Sequence, residues 1–310
     1  MSSGTALKRV RVETPGASEP EALADRAREN NRHPVFRAIW YTGNILLILA
    51  ILAAAYSVAW EYSTRRYLKG FSDAVVPASS SSELKIEAIL QWMAHGPARR
   101  DDALATSSHD RDPTDTLNYS SLLEVCGTAT NAFLNLADSA GLSARRLLLL
   151  DSRRMTMHVV AEILIDGRWI VVDPAFRAIP RGANGELLTR KDLADPAIFA
   201  AAIKNIPGYE ADYTYERTAH VRLARLRILG APLRRILDRA VPGWEDSAAM
   251  SLLLERESLA IMVITIVLVI FLALLRAGMR WYGEKYLGVR PVRVRQQVRR
   301  AFHAFVDTAG

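Results

Sequence analysis

The sequence predicts an α+β domain, a cysteine-bearing helix packed on an antiparallel sheet, flanked by two transmembrane helices. Three observations predict it. Two long runs carry no charged residue, Ala38–Trp60 (AIWYTGNILLILAILAAAYSVAW) and Ser258–Leu275 (SLAIMVITIVLVIFLALL). Between them, CGTATNAFLNLADSAG has helical apolar spacing and begins at Cys126, the only cysteine among 310 residues. The β-rich runs LLLL, HVVAEILI and RWIVV follow, the last two separated by Asp166-Gly167, a two-residue hairpin signal.

At a rise of ~1.5 Å per residue the uncharged runs reach roughly 35 and 27 Å, comparable with the ~30 Å hydrocarbon core of a bilayer. They are read as spans over 38–60 and 258–275. The first is read as an uncleaved anchor rather than a signal peptide. Its polar lead is long, and the run exceeds the ~7–15 apolar residues of a signal.

The formal charge of +7 is unevenly spread. Residues 1–37 hold seven basic and five acidic residues, 276–310 hold eight and two, and the middle is nearly neutral at −1. Lysine and arginine beside spans mark the cytoplasmic side. Both basic termini are therefore expected in the cytoplasm, with 61–257 on the outer side of an inner or plasma membrane. Basic flanks of this kind suit anionic lipid headgroups. No nucleic-acid-binding motif accompanies them, so a nucleic-acid partner is not expected.

Between the spans, 61–82 reads as a linker ending in the Pro/Ser-rich Pro77–Ser82. Residues 83–188 read as the core domain, and 189–257 as a mainly helical extension. SELKIEAILQWMA spaces Leu84, Ile86, Ile89, Leu90 and Met93 as one helix face. HGPARRDDALATSSHDRDPTDTLNYSS reads as a polar surface loop or a lid over a site. In the next helix Ala129, Ala132, Phe133, Leu136, Ala137 and Ala140 share a face, and Gly141 stops it. Thr189 and Asp192 match a capping pattern. RLARLRILGAPLRRILDRAV is basic and amphipathic, suited to a membrane surface, an acidic polymer or plain solvation. Tyr209, Tyr213 and Tyr215 either line a groove or pack a loop.

Asp166-Gly167 also fixes a register. If these two residues form the loop, Ile165 pairs with Arg168, which puts Val160 opposite Asp173 and His158 opposite Ala175. His158, Val160 and Asp173 then share a face, with His158 and Asp173 diagonal neighbours at roughly 7–8 Å between Cα atoms. A carboxylate on one ring nitrogen orients an imidazole and leaves the other nitrogen for a nucleophile's proton. Cys126, at a helix start where the dipole favours a thiolate, is the candidate nucleophile. Glu124 acts the other way if it lies close. Alone, a cysteine among apolar neighbours or a strand histidine beside an aspartate is more often a structural feature. The order Cys, His, Asp on these elements favours chemistry.

The stretches LLEVCGTATNAFLNLADSAGLSARRLLLL and MHVVAEILIDGRWIVVDPAF resemble the core of the transglutaminase-like superfamily. The resemblance rests on Cys126-Gly127 opening a helix, the turn from Gly141 to Arg145, His158 leading a strand, and Trp169 to Asp173-Pro174. It departs at Val159 and Val160, where the family often has a bulky residue after the histidine. It implies a papain-like fold with a triad in which Cys126 is the nucleophile, His158 the base and general acid, and Asp173 the orienting group. It also implies attack on an amide or ester carbonyl, a thioester, and transfer to an amine or water. The oxyanion hole would use the Cys126 N–H with a donor from Tyr119, Ser120 or Ser121.

These readings lead to an outward-facing, membrane-anchored thiol enzyme, an acyltransferase or hydrolase acting on an envelope peptide, protein or amide. The alternative is a catalytically silent scaffold or binding module in a cell-surface polysaccharide or envelope assembly. No metal is expected, because the six histidines lack ligand spacing, and no cofactor is expected. A single cysteine avoids trapping the nucleophile as a disulfide in an oxidising compartment.

Overall fold

The helix expected to open at Cys126 is present in the computed structural model, which describes residues 34–96, 112–221 and 230–288. Most of the basic segments expected at 1–37 and 276–310, together with residues 97–111 of the polar stretch and 222–229 of the basic amphipathic stretch, lie outside the described residues. The chain divides into two units, Met1–Leu52 with Ile266–Gly310, and Ala53–Thr265.

Helix α1 spans Pro34–Val75 and helix α10 spans Glu257–Tyr286. Both are long and apolar enough to cross a membrane, and only 6% and 11% of their apolar windows are buried. Such exposure sets them apart from core helices of similar hydropathy. Within the first unit, Leu47, Ala50 and Leu272 pack together, and Arg276 lies over the Trp40 ring. Ile45, Ile48, Ile264, Phe271 and Leu274 along the same helices are exposed.

The expected linker over 61–82 is helical as far as Val75. Leaving the uncharged run does not end the helix, because Glu61 pairs with Arg65 and Lys69 with Asp73 one turn apart. Leu68 and Val76 are buried in the second unit's core, with Tyr67, Phe71 and Val75 packed against it. Only the short connection to α2 (Ser82–His95) is non-helical. The end of the polar stretch forms two short helices, α3 (Pro113–Asn118), capped by the Asp112 carboxylate, and α4 (Ser120–Glu124).

Helix α5 (Cys126–Ser139) ends as expected. Gly141 takes a φ of 79°, and Leu142 N–H reaches back to Ala137 O at 2.9 Å, a glycine-dependent C-terminal motif. Burial differs from the one-sided expectation, since every residue from Thr128 to Ala137 is buried. The sheet covers one side, and α2, α3, α4 and α9 (Ala248–Glu255) cover others.

Strands β1 (Ala144–Leu150), β2 (Thr156–Ile165), β3 (Arg168–Val172) and β4 (Thr218–Ala219) form an antiparallel sheet in the order β3-β2-β1-β4. The hairpin register is the one the sequence implies, from Ile165↔Arg168 to Ala161↔Val172. Asp166 and Gly167 both have positive φ, 48° and 78°, as a type I′ turn requires. Alternate residues pack on opposite faces. Ala161, Ile163 and Val172 join α5 in one core; Leu147, Leu149, Val160 and Val171 join Leu193, Phe199 and Tyr215 in another. Burial on both faces explains the unbroken run of leucines.

The segment expected to be mainly helical contains α6 (Arg190–Leu193), α7 (Pro196–Ile203), α8 (Gly230–Ala240) and α9, but between α7 and β4 the chain runs through turns and bends and returns to the sheet. The Thr189–Asp192 capping box is formed. Helix α8 carries the described part of the basic amphipathic stretch, with Arg234 paired to Glu245 at 2.7 Å and Ile236 exposed.

Candidate active site

The N-terminus of α5 meets the first residues of β2, and this junction brings Cys126 and His158 together. Val125 precedes the helix and supplies no side-chain cap. Helix N-terminal N–H groups left without a cap favour an anion nearby. The half-buried Cys126 thiol lies beside the His158 imidazole, with the backbone N–H groups of Val159 and Gly127 also near enough to favour its ionised form. Glu124, the residue able to oppose a thiolate, is exposed at the end of α4.

His158 Nε2 lies 2.7 Å from Asp173 Oδ2, which leaves Nδ1 for the sulfur. Asp173 is fully buried, and its Oδ1 accepts the Ala175 and Phe176 N–H groups at 3.1 and 3.3 Å. The bonds fix the carboxylate, and the carboxylate fixes the ring. Sequence order, the hairpin and the turn after β3 thus place Cys126, His158 and Asp173 in one row, with the His158–Asp173 hydrogen bond at its centre.

Electrostatics follow from the row. The His158 hydrogen bond is the largest cause holding the Cys126 thiol below its ordinary range, against the effect of burial. Burial pulls His158 down, but the hydrogen bonds and charges of Asp173 and Cys126 outweigh it and raise the imidazole to about 9. Both directions favour a thiolate–imidazolium pair.

Aromatic side chains surround the imidazole. The Tyr213 ring stacks on His158 with centroids 4.3 Å apart and planes within 5°. Tyr209 packs edge-on to His158 and against Phe176. Burial pushes the Tyr209 hydroxyl well up, with Tyr215 and Asp173 adding to it; burial and Glu210 push Tyr213 up to about 12. Of the two readings open for these tyrosines, the structure puts Tyr209 and Tyr213 at the histidine. Tyr215 packs in the core beneath.

The oxyanion candidates stand immediately upstream. Tyr119 joins α3 to α4, and Ser120 and Ser121 open α4. Ser121 Oγ is buried without a hydrogen-bond partner. Sequence reasoning did not single out Phe176, Arg177 or the Glu162 cluster. Arg177 donates to Leu123 O at 3.1 Å and so ties the turn after Asp173 to α4. Glu162 is fully buried and accepts from Arg145 and His220, each at 2.8 Å. Burial opposes its ionisation, and His220 and Arg145 together hold its carboxyl below the usual range. An Arg-x-x-x strand start offers no signal for such a distant partner as His220.

No curated protein matches the chain. Residues 69–174 match the family model of the transglutaminase-like superfamily. The match starts within the last turns of α1 and ends just after Asp173, which is earlier at both ends than the expected 83–188. The chain therefore carries a domain of the transglutaminase-like superfamily, with Cys126, His158 and Asp173 all inside its bounds.

Proposed function

We propose that the chain is a membrane-anchored thiol acyl-transfer enzyme, with Cys126 as nucleophile, His158 as general base and acid, and Asp173 as the group that orients His158. The observation that carries this reading is the row Cys126–His158–Asp173, in which hydrogen bonding and charge outweigh burial and favour the ionised pair. The thiolate attacks an amide or ester carbonyl carbon. As the tetrahedral intermediate collapses, the C–N or C–O bond breaks, His158 protonates the leaving group, and a thioester to Cys126 remains. Water or an amine then attacks the thioester while His158 takes its proton, and the thiolate is released. The oxyanion is met by the Cys126 N–H and by a donor from Tyr119, Ser120 or Ser121.

The two apolar helices support a membrane location, and the basic residues outside them support cytoplasmic termini with 61–257 on the outer side. The substrate is then an envelope peptide, protein or amide, and lipid is the surrounding partner. Intact-mass analysis after brief exposure to an activated aryl ester tests the chemistry. An acyl adduct confined to Cys126, formed more slowly in His158→Ala, supports the enzyme. No adduct at any pH overturns it and leaves a scaffold or binding module of an envelope assembly.

A further inference from the structure

Helix α5 is buried from Thr128 to Ala137, yet it carries a polar stripe made of the Gly127 backbone oxygen, the buried Asn131 and Asn135 side chains and the more exposed Asp138, spaced four, four and three residues apart. The stripe faces two consecutive residues, Glu255 at the end of α9 and Arg256, which joins α9 to α10. Arg256 is 1% exposed, and each of its three nitrogens is engaged. Nε donates to Asn135 Oδ1 at 2.7 Å, Nη1 to Glu61 Oε1 at 3.2 Å and Nη2 to Asp138 Oδ2 at 2.9 Å. Glu61, on α1, also accepts from Ser258 Oγ, on α10, at 2.6 Å.

Glu255 holds the other half of the stripe. Asn131 Nδ2 donates to its backbone oxygen and to Oε2. Its Oε1 receives Arg146 Nη1, and Arg146 Nη2 reaches Gly127 O at 3.5 Å, one residue beyond the nucleophile. The pair thus grips α5 near its first turn and again near its last, while Arg256 and Ser258 bind the same helix to α1 through Glu61.

Buried ion networks of this kind add little stability over apolar side chains of equal volume; their best-attested use is to fix register. Register matters at this site, because a displacement of ~1 Å between reacting groups costs about 10²-fold in rate. We infer that Glu255 and Arg256 are positioning residues for Cys126. Through the stripe, the axial seating of α5, and with it the Cys126–His158 contact, is set by how α1 and α10 stand against each other at Glu61 and Ser258. The inference rests on the proposed thiolate–imidazolium site and adds a control on its geometry from outside the matched domain.

The test is the pH profile of Cys126 alkylation in the full chain, in detergent, for Glu255→Gln, Arg256→Met and Arg256→Lys, with melting temperatures measured in parallel. Positioning predicts alkylation slowed about tenfold or more near pH 6. At about pH 10, where a thiol ionises unaided, rates should stay near wild type, and Arg256→Lys should recover part of the loss. A merely structural role lowers the melting temperature and leaves the profile of the folded protein unchanged. If Arg256→Met does not fold, Glu255→Gln decides, since it keeps the shape and leaves every Arg256 bond in place. Wild-type profiles in the folded variants, with His158→Ala slowed, overturn positioning alone. Wild-type profiles in His158→Ala as well overturn both positioning and the proposed site.

Discussion

His158 Nε2 and Asp173 Oδ2 lie 2.7 Å apart, fifteen residues apart in the chain. The type I′ turn at Asp166-Gly167 folds β3 back on β2 in a register that runs to Ala161↔Val172, and Asp173 follows directly, paired not with Val160 but with Ala178 across the next turn. The turn after Val172 then aims the carboxylate by holding its Oδ1 on two backbone N–H groups.

Asp173→Asn isolates the charge in this contact. The amide oxygen still serves Ala175 and Phe176, but the negative charge opposite the imidazolium is gone. Acyl-enzyme formation is expected to fall about 10²-fold or more, measured by intact-mass time courses. A rate within about twofold of wild type contradicts the orienting role assigned to Asp173.

The pH dependence has a definite sign. Below the lowered thiol pKa, Cys126 gains a proton and attack stops. Above about 9, His158 loses the proton it gives to the leaving group. Turnover is therefore expected to be bell-shaped, with its falling limb near 9. A falling limb near the ordinary histidine value of 6.5 contradicts the ion pair.

Tyr213 tests what the stacked ring does for the imidazole. An aromatic stack contributes roughly 0.5–1.5 kcal/mol beyond its buried area, equivalent to about 2–10-fold in rate. Tyr213→Ala is expected to slow low-pH alkylation of Cys126 by that factor, while Tyr213→Phe, which keeps the ring, stays near wild type. Equal loss in both variants assigns the effect to the hydroxyl.

Gly167→Ala probes the hairpin itself. A Cβ there meets no atom within 4 Å, so any cost comes from the backbone at φ 78°. A loss of about 1–2 kcal/mol is expected, read from denaturant unfolding. No loss contradicts the type I′ turn, because an alanine pays nothing only at negative φ.

The site was legible where local rules govern geometry. Asp-Gly specified the turn, the turn specified the register, and alternation specified which residues share a face with His158. The capping box at Thr189 and the stop at Gly141 were read in the same way. What stayed hidden depends on distant pairing. A two-residue strand at Thr218–Ala219 leaves no period-2 pattern, so the return of the 204–221 segment to the sheet, which brings Tyr213 to His158, was not foreseen. The Pro/Ser-rich Pro77–Ser82 suggests a linker over 61–82, whereas one-turn ion pairs and the buried Leu68 carry α1 on to Val75. On α5 the apolar face was evident. The burial of Asn131 and Asn135 depends on Glu255 and Arg256, more than a hundred residues later.

The pH dependence of Cys126 alkylation, in wild type and in His158→Ala, tests the central claim most directly. Cys126 is the only cysteine in the chain, so every label counted reports on it. The account predicts rapid labelling well below the free-thiol pKa of ~8.5, then a second rise near 9 as His158 deprotonates and frees the thiolate. In His158→Ala the first step is lost and labelling follows an ordinary thiol. Labelling only on denaturation, unaffected by His158, would contradict it and make Cys126 a structural residue.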